Sequence, residues 1–182
     1  MLIHYFFSTV LLFSLLFSSC KKKELEVFPL GGDFSLQTAS GEVFQISKQK
    51  QKWRFVFFGY TSCPDFCPNT LSKLSQVQNK IGEIPEVLFI NLDANSSPKD
   101  LETYLGHFKI PAIALTGTET EIRKVLGQFK GNFQVKKLQP SGLPLIDHTT
   151  YLYLLDPQNR VRYLFKSVNT AEEIANVLEV AL

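Results

Sequence analysis

The stretch WRFVFFGYTSCPDFCPNTLSKLSQVQNKIG, residues 53–82, decides the fold. Its opening run, residues 53–60, is almost continuously apolar and aromatic, the pattern of a central strand covered on both faces. From Leu71 the period changes: Leu71, Leu74, Val77, Gln78 and Ile81 fall on one side of a helix that Gly82 closes. Between strand and helix lies a short loop carrying Cys63 and Cys67. Strand, tight loop and amphipathic helix make the first half of a β-α-β unit, and open α/β sheets place their ligand crevice at the end of such a strand.

On the N-terminal side, DFSLQTASGEVFQIS reads as a hairpin: Phe34 and Leu36 alternate, ASG turns the chain, and Val43, Phe44 and Ile46 resume the apolar pattern. On the C-terminal side EVLFINLD, residues 86–93, predicts a strand. Ser97 and Pro98 then open a helix whose apolar side is Leu101, Tyr104, Leu105 and Phe108. Residues 119–128 predict a helix capped by Thr118, FQVKKL a modest strand, and residues 149–156 a strong one. PQNR turns into the antiparallel partner VRYLFK, and a terminal helix follows with Ile174, Val177, Leu178 and Ala181 aligned. The order β-hairpin, β, α, β, α, α, β, β, α predicts an α/β fold, a mixed sheet flanked by helices on both sides. Residues 131–148 read as an insertion before the last β-hairpin.

The chain's 182 residues suffice for one domain with a substantial core, needing neither disulfide staples nor a structural metal. Its net charge of +2 is mixed along the sequence, without the basic stripe of a nucleic-acid binder. Residues 1–20, MLIHYFFSTVLLFSLLFSSC, are apolar and uncharged and read as an export signal. Ser18 and Ser19 before Cys20 resemble a lipoprotein cleavage box, with Phe17 where an aliphatic residue is usual. The expected organisation is therefore a signal peptide over 1–19, a tether over 20–32 lipidated at Cys20 and solvated by Lys21–Lys23, and a folded domain over 33–182. An uncleaved anchor is the alternative, since about 18 apolar residues can span a bilayer core.

With Cys20 given to lipid, Cys63 and Cys67 are the remaining cysteines. In an oxidising compartment such a pair is a disulfide, a metal site or a cycling dithiol. Pro68 suits the first helical position and biases Cys67 away from α geometry, so the helix is predicted to begin at or just after Cys67. Both sulfurs then lie near the positive helix end, which favours thiolate. The three-residue spacing permits either metal binding or disulfide exchange, and so short a closed loop makes stability a poor reason for a bridge. Two thiolates leave a metal under-coordinated, so a third ligand is needed. His4 falls in the signal, His107 ends a helix, and His148 lies on a loop leading into a strand, where it can face the same crevice. Two thiolates and an imidazole form a soft set suited to Cu(I) and able to hold Cu(II) or zinc. The only methionine is Met1, which rules out a thioether site.

These residues carry a resemblance. YTSCPDFCPNT after an apolar strand, LD at 92–93, ALTGTETEIRKV at 114–125 and DHTTYLYLLDPQNR at 147–160 resemble, in order, the SCO/SenC family of thioredoxin-fold copper proteins. The resemblance covers roughly residues 28–182. It implies a thioredoxin-like fold and a copper metallochaperone assisting assembly of the dinuclear copper centre of cytochrome c oxidase. It further implies Cys63, Cys67 and His148 as copper ligands, with Asp93 as a supporting acidic residue. Ala94 stands where the family pattern has proline, and Thr149 replaces the commoner serine. The expected partners are a copper-accepting oxidase subunit or its assembly factors, and a membrane reached through the lipid anchor. The expected form is a monomer on the periplasmic side of a bacterial membrane. The same cysteine pair would equally serve an exported thiol-disulfide oxidoreductase, whereas a peroxidase is disfavoured because Pro64 follows Cys63 directly.

Overall fold

The computed structural model describes residues 24–138 and 142–182; the expected signal segment, Cys20 and Lys21–Lys23 lie outside the described residues. β1 (Ser35–Thr38) and β2 (Val43–Gln45) form the expected hairpin. Its turn is closed by the Gly41 N–H on the Thr38 carbonyl (2.9 Å), and Gly41 takes a φ of 87° that side chains rarely adopt. Strand alternation buries Phe34, Leu36, Phe44 and Ile46 and turns Val43 out to solvent. β3 (Arg54–Gly59) is buried at every position.

α1 (Phe66–Ile81) buries Cys67, Thr70, Leu71, Leu74 and Val77. β4 (Glu86–Asn91) follows, then α2 (Pro98–Gly106), where Ser97 and Asp100 make a reciprocal capping box. β5 (Ala112–Thr116) is a strand that residue patterning did not announce. α3 (Glu119–Gln128) begins at the expected Thr118 cap, again with a capping box, through Glu121. β6 (Phe133–Leu138) and β7 (Pro144–His148) pair antiparallel as a separate two-stranded ribbon, so the expected insertion is itself a hairpin. β8 (Leu152–Leu155), β9 (Val161–Phe165) and α4 (Ala171–Ala181) complete the chain.

The main sheet runs β2-β1-β5-β4-β3-β8-β9. β3, β4 and β5 are mutually parallel, and the hairpins on either flank join antiparallel, which makes the sheet mixed. Ring contacts show helices on both faces. On one face Phe57 meets Phe89 (centroids 6.1 Å apart), which meets Tyr104 of α2 (5.9 Å). On the other, Phe58 (5.5 Å) and Tyr153 (4.9 Å) meet Phe129 at the end of α3. Tilted and edge-to-face ring contacts like these add to the energy of burial.

Residues 24–31 lie against the domain rather than trailing from it. The Phe28 N–H donates to the Val161 carbonyl (2.9 Å) and the Gly31 N–H to the Gln128 carbonyl (2.9 Å). Arg162, buried and paired with buried Asp156 (3.0 Å), donates to the carbonyls of Leu25 and Glu26. Leu155, beside this clamp, pairs with Arg54 at the start of β3, so the arm docks at the end of the sheet opposite Gly59. Among the described residues no helix is long and apolar enough to cross a membrane.

Candidate metal centre

At the C-terminal end of β3 the chain turns, the Cys63 N–H reaching the Tyr60 carbonyl at 3.3 Å, and enters α1 at Phe66. The helix thus starts before Cys67, and Pro68 takes its third position rather than its first. A proline is tolerated there because first-turn N–H groups have no partner within the helix. The Asp65 side chain, at the N-cap, accepts no bond from the helix backbone and binds the Asn69 side-chain amide instead. The capping acceptor is a sulfur: the Cys67 N–H donates to Cys63 Sγ at 3.4 Å.

Both cysteines are buried and unbridged. The Cys67 thiol, donating to Cys63, holds the Cys63 pKa far below the ordinary thiol range. Burial opposes this, while His148 and the backbone N–H groups of Cys67 and Asp65 assist. The Cys67 thiol is pushed far up, first because it is the donor in that bond and then by its burial. The opposed shifts make Cys63 the thiol that ionises first.

His148 is the last residue of β7, a strand end rather than a loop position. Its Nδ1 lies 2.9 Å from the Thr149 carbonyl. A carbonyl only accepts, so Nδ1 carries a proton, and Nε2 is the ring atom that faces the sulfurs, 4.0 Å from Cys67 Sγ. Tyr60 fixes the ring from the side, edge-on at 5.9 Å, while its hydroxyl accepts the Ile146 N–H of β7 at 3.3 Å. The base of the ribbon is tied by Asn132 and Thr149, which exchange backbone and hydroxyl hydrogen bonds at 3.1 Å.

Cys63, Cys67 and His148 each offer one ligand atom, and the three atoms lie within 4.8 Å of one another, the one such group among the described residues. A triangle of that width has its centre no more than about 2.8 Å from each corner, near enough to a metal–thiolate bond of about 2.3 Å for small side-chain shifts to close. A groove of about 220 Å³ leads to the group, walled by Tyr60, Pro64, Phe66, Leu145 and Ile146.

The other candidates fall elsewhere. His107 is exposed at the end of α2, away from the group, and His4 and Cys20 lie outside the described residues. Asp93 is buried beyond the end of β4, and its carboxylate accepts from the Asn95 N–H (3.0 Å) and the Ser96 hydroxyl (3.4 Å). Ser96 Oγ meets Thr61 Oγ1 at 3.3 Å, so Asp93 reaches the cysteine loop through two hydroxyls rather than by touching a sulfur. Sequence reasoning missed Tyr60. Its position one residue past a glycine at a strand end was the signal that this aromatic serves the site and not the core alone.

A mixed sheet with a dithiol at a helix start and a histidine delivered by a β-ribbon defines a thioredoxin-like protein with a Cys-Cys-His group able to hold a metal. The family model of SCO1/SenC matches residues 22–182, and this chain belongs to that family. The chain is 33% identical over 156 residues to "Protein sco1" of Schizosaccharomyces pombe, covering 82% of this chain and 59% of that protein. It is 34% identical over 157 residues to "SCO2-like protein RP587" of Rickettsia prowazekii, covering 82% of this chain and 76% of the relative. The solved structure of Bradyrhizobium japonicum ScoI with copper bound superposes with a TM-score of 0.73 at 31% identity, over 84% of this chain and 99% of that one.

Proposed function

We propose that this chain is a copper metallochaperone that assists assembly of the dinuclear copper centre of cytochrome c oxidase. Cys63, Cys67 and His148 would hold the cargo ion. The observation that carries this reading is the His148 ring: an imidazole nitrogen facing two buried sulfurs completes a three-donor soft set suited to copper. The copper-bound ScoI of Bradyrhizobium japonicum supports the choice of metal. A thiol-disulfide oxidoreductase is not favoured: exchange between two thiols needs no third donor, whereas an ion held by two sulfurs does.

Release follows from where the donors sit. The two sulfurs belong to one rigid strand–helix junction, whereas the imidazole comes from a two-stranded ribbon outside the main sheet. Withdrawal of the ribbon would leave a two-coordinate dithiolate open to ligands of an acceptor entering through the groove. Oxidation of the cysteines to a disulfide removes both thiolate donors, so loading tracks the thiol redox state.

The protein acts as an exported monomer, all three donors coming from one chain, and is held at the periplasmic face by lipid on Cys20. The apolar run before Ser18, Ser19 and Cys20 supports that anchor. Docking of residues 24–31 at the end of the sheet opposite Gly59 would turn the copper site away from the anchored end. The test is His148→Ala in cells that depend on this protein for oxidase assembly. The expected result is joint loss of copper binding and of assembled oxidase; intact assembly without copper binding would refute the proposal.

A further inference from the structure

Gly59 ends β3, buried and followed directly by the cysteine loop. A glycine inside a strand ordinarily weakens it, because it packs no side chain and loses more backbone entropy on folding. No left-handed backbone requires it here, since Gly59 is not among the residues of positive φ. Space is the remaining reason. A Cβ placed on Gly59 would lie 2.9 Å from Cys67 Sγ and 2.9 Å from Cε2 of Phe89, closer than real Cβ atoms approach either.

We propose that Gly59 is a positioning residue of the metal centre: its missing side chain is the seat of the Cys67 sulfur, fixing one corner of the donor triangle before copper arrives. This rests on the copper reading above. The Phe89 ring can yield only by a slight tilt, because it is fully buried between Phe57 (6.1 Å) and Tyr104 (5.9 Å), and Tyr104 is backed by Phe108 at 5.3 Å. Cys67 is itself fully buried in the first turn of α1, so its backbone is held by the helix. Its Sγ turns about a single side-chain bond and gives more than the packed ring does, so a methyl on residue 59 turns it off the strand. The sulfur then leaves its place 4.0 Å from His148 Nε2.

Gly59→Ala is therefore expected to lower Cu(I) affinity of the reduced full chain by about ten- to a hundredfold, the usual scale for residues supporting a ligand. A second readout needs no metal: the melting temperatures of the reduced apo protein for Gly59→Ala, Cys67→Ala and the double variant. If the sulfur is what the methyl meets, Cys67→Ala recovers most of the melting temperature that Gly59→Ala loses, and the double variant folds even where Gly59→Ala alone does not. Unchanged copper affinity in Gly59→Ala would overturn the proposal. So would a double variant no better than additive, or one recovered by Phe89→Leu in place of Cys67→Ala. Coupled melting temperatures in a wild-type protein that binds no copper would refute the copper reading while leaving the seat intact.

Discussion

The backbone N–H of Cys67 donates to the sulfur of Cys63 at 3.4 Å, so the first cysteine caps the helix whose first turn carries the second. Side-chain oxygens usually occupy this role, and a sulfur there places anionic charge at the positive helix end. The cap sets the two thiols apart, since Cys63 is the sulfur that accepts a backbone N–H at the helix start.

The inequality is measurable. The Cys63 pKa is lowered to about 3, first by the Cys67 S–H, while that of Cys67 is raised. The ordinary thiol value is about 8.5. The stability Cys63 contributes is thus complete above that value and lost as the pH falls through about 3. Ultraviolet thiolate absorbance of the reduced protein should show one thiolate across the neutral range. In Cys67→Ala that thiolate should titrate at a higher pH, because its main hydrogen-bond donor is gone. Two ordinary thiol titrations in the wild type would contradict this.

Tyr60 links the cysteine loop to the ribbon that delivers His148. Tyr60→Phe keeps the ring contact to His148 and removes the hydroxyl that accepts the Ile146 N–H, leaving a buried donor unpaired. The expected cost is about 1–3 kcal/mol in urea unfolding. Copper affinity should fall less than in His148→Ala, because the ligand survives and only its strand is loosened. Stability equal to the wild type would show that the ribbon does not lean on this hydroxyl.

Arg162 is buried, paired with buried Asp156, and holds the carbonyls of Leu25 and Glu26. Arg162→Met should destabilise the domain by about 3 kcal/mol, the lower end for breaking a buried pair, because Arg160 still contacts Asp156 at 2.7 Å. It should also free the arm, so that a glutamyl endopeptidase cuts after Glu24 and Glu26 faster than in the wild type. Unchanged cleavage would mean that the arm is held by Phe28 and Gly31 alone.

How much of this could be read beforehand depends on the range of the interactions involved. The β3–α1 junction was legible because continuous burial and a helical stripe are written in consecutive residues, and the caps at Ser97 and Thr118 because capping boxes are local. β5 was not, because Ala112–Thr116 is a short segment without alternation whose strand character comes from the parallel neighbour β4. β7 was missed for a related reason: it opens on Pro144 and becomes a strand only by pairing with β6. Cys63, Cys67 and His148 could be nominated from residue type and resemblance. Their convergence depends on Tyr60 and the ribbon, contacts that span more than eighty positions and leave no periodic trace.

The central claim is that two sulfurs and one imidazole nitrogen share a single ion. X-ray absorption of the reduced protein loaded anaerobically with Cu(I) tests it most directly, with His148→Ala measured alongside. The account predicts two sulfur neighbours and one nitrogen of an imidazole in the wild type, with the imidazole signal lost in the variant. A wild-type copper environment made of sulfur alone, unchanged by His148→Ala, would contradict it.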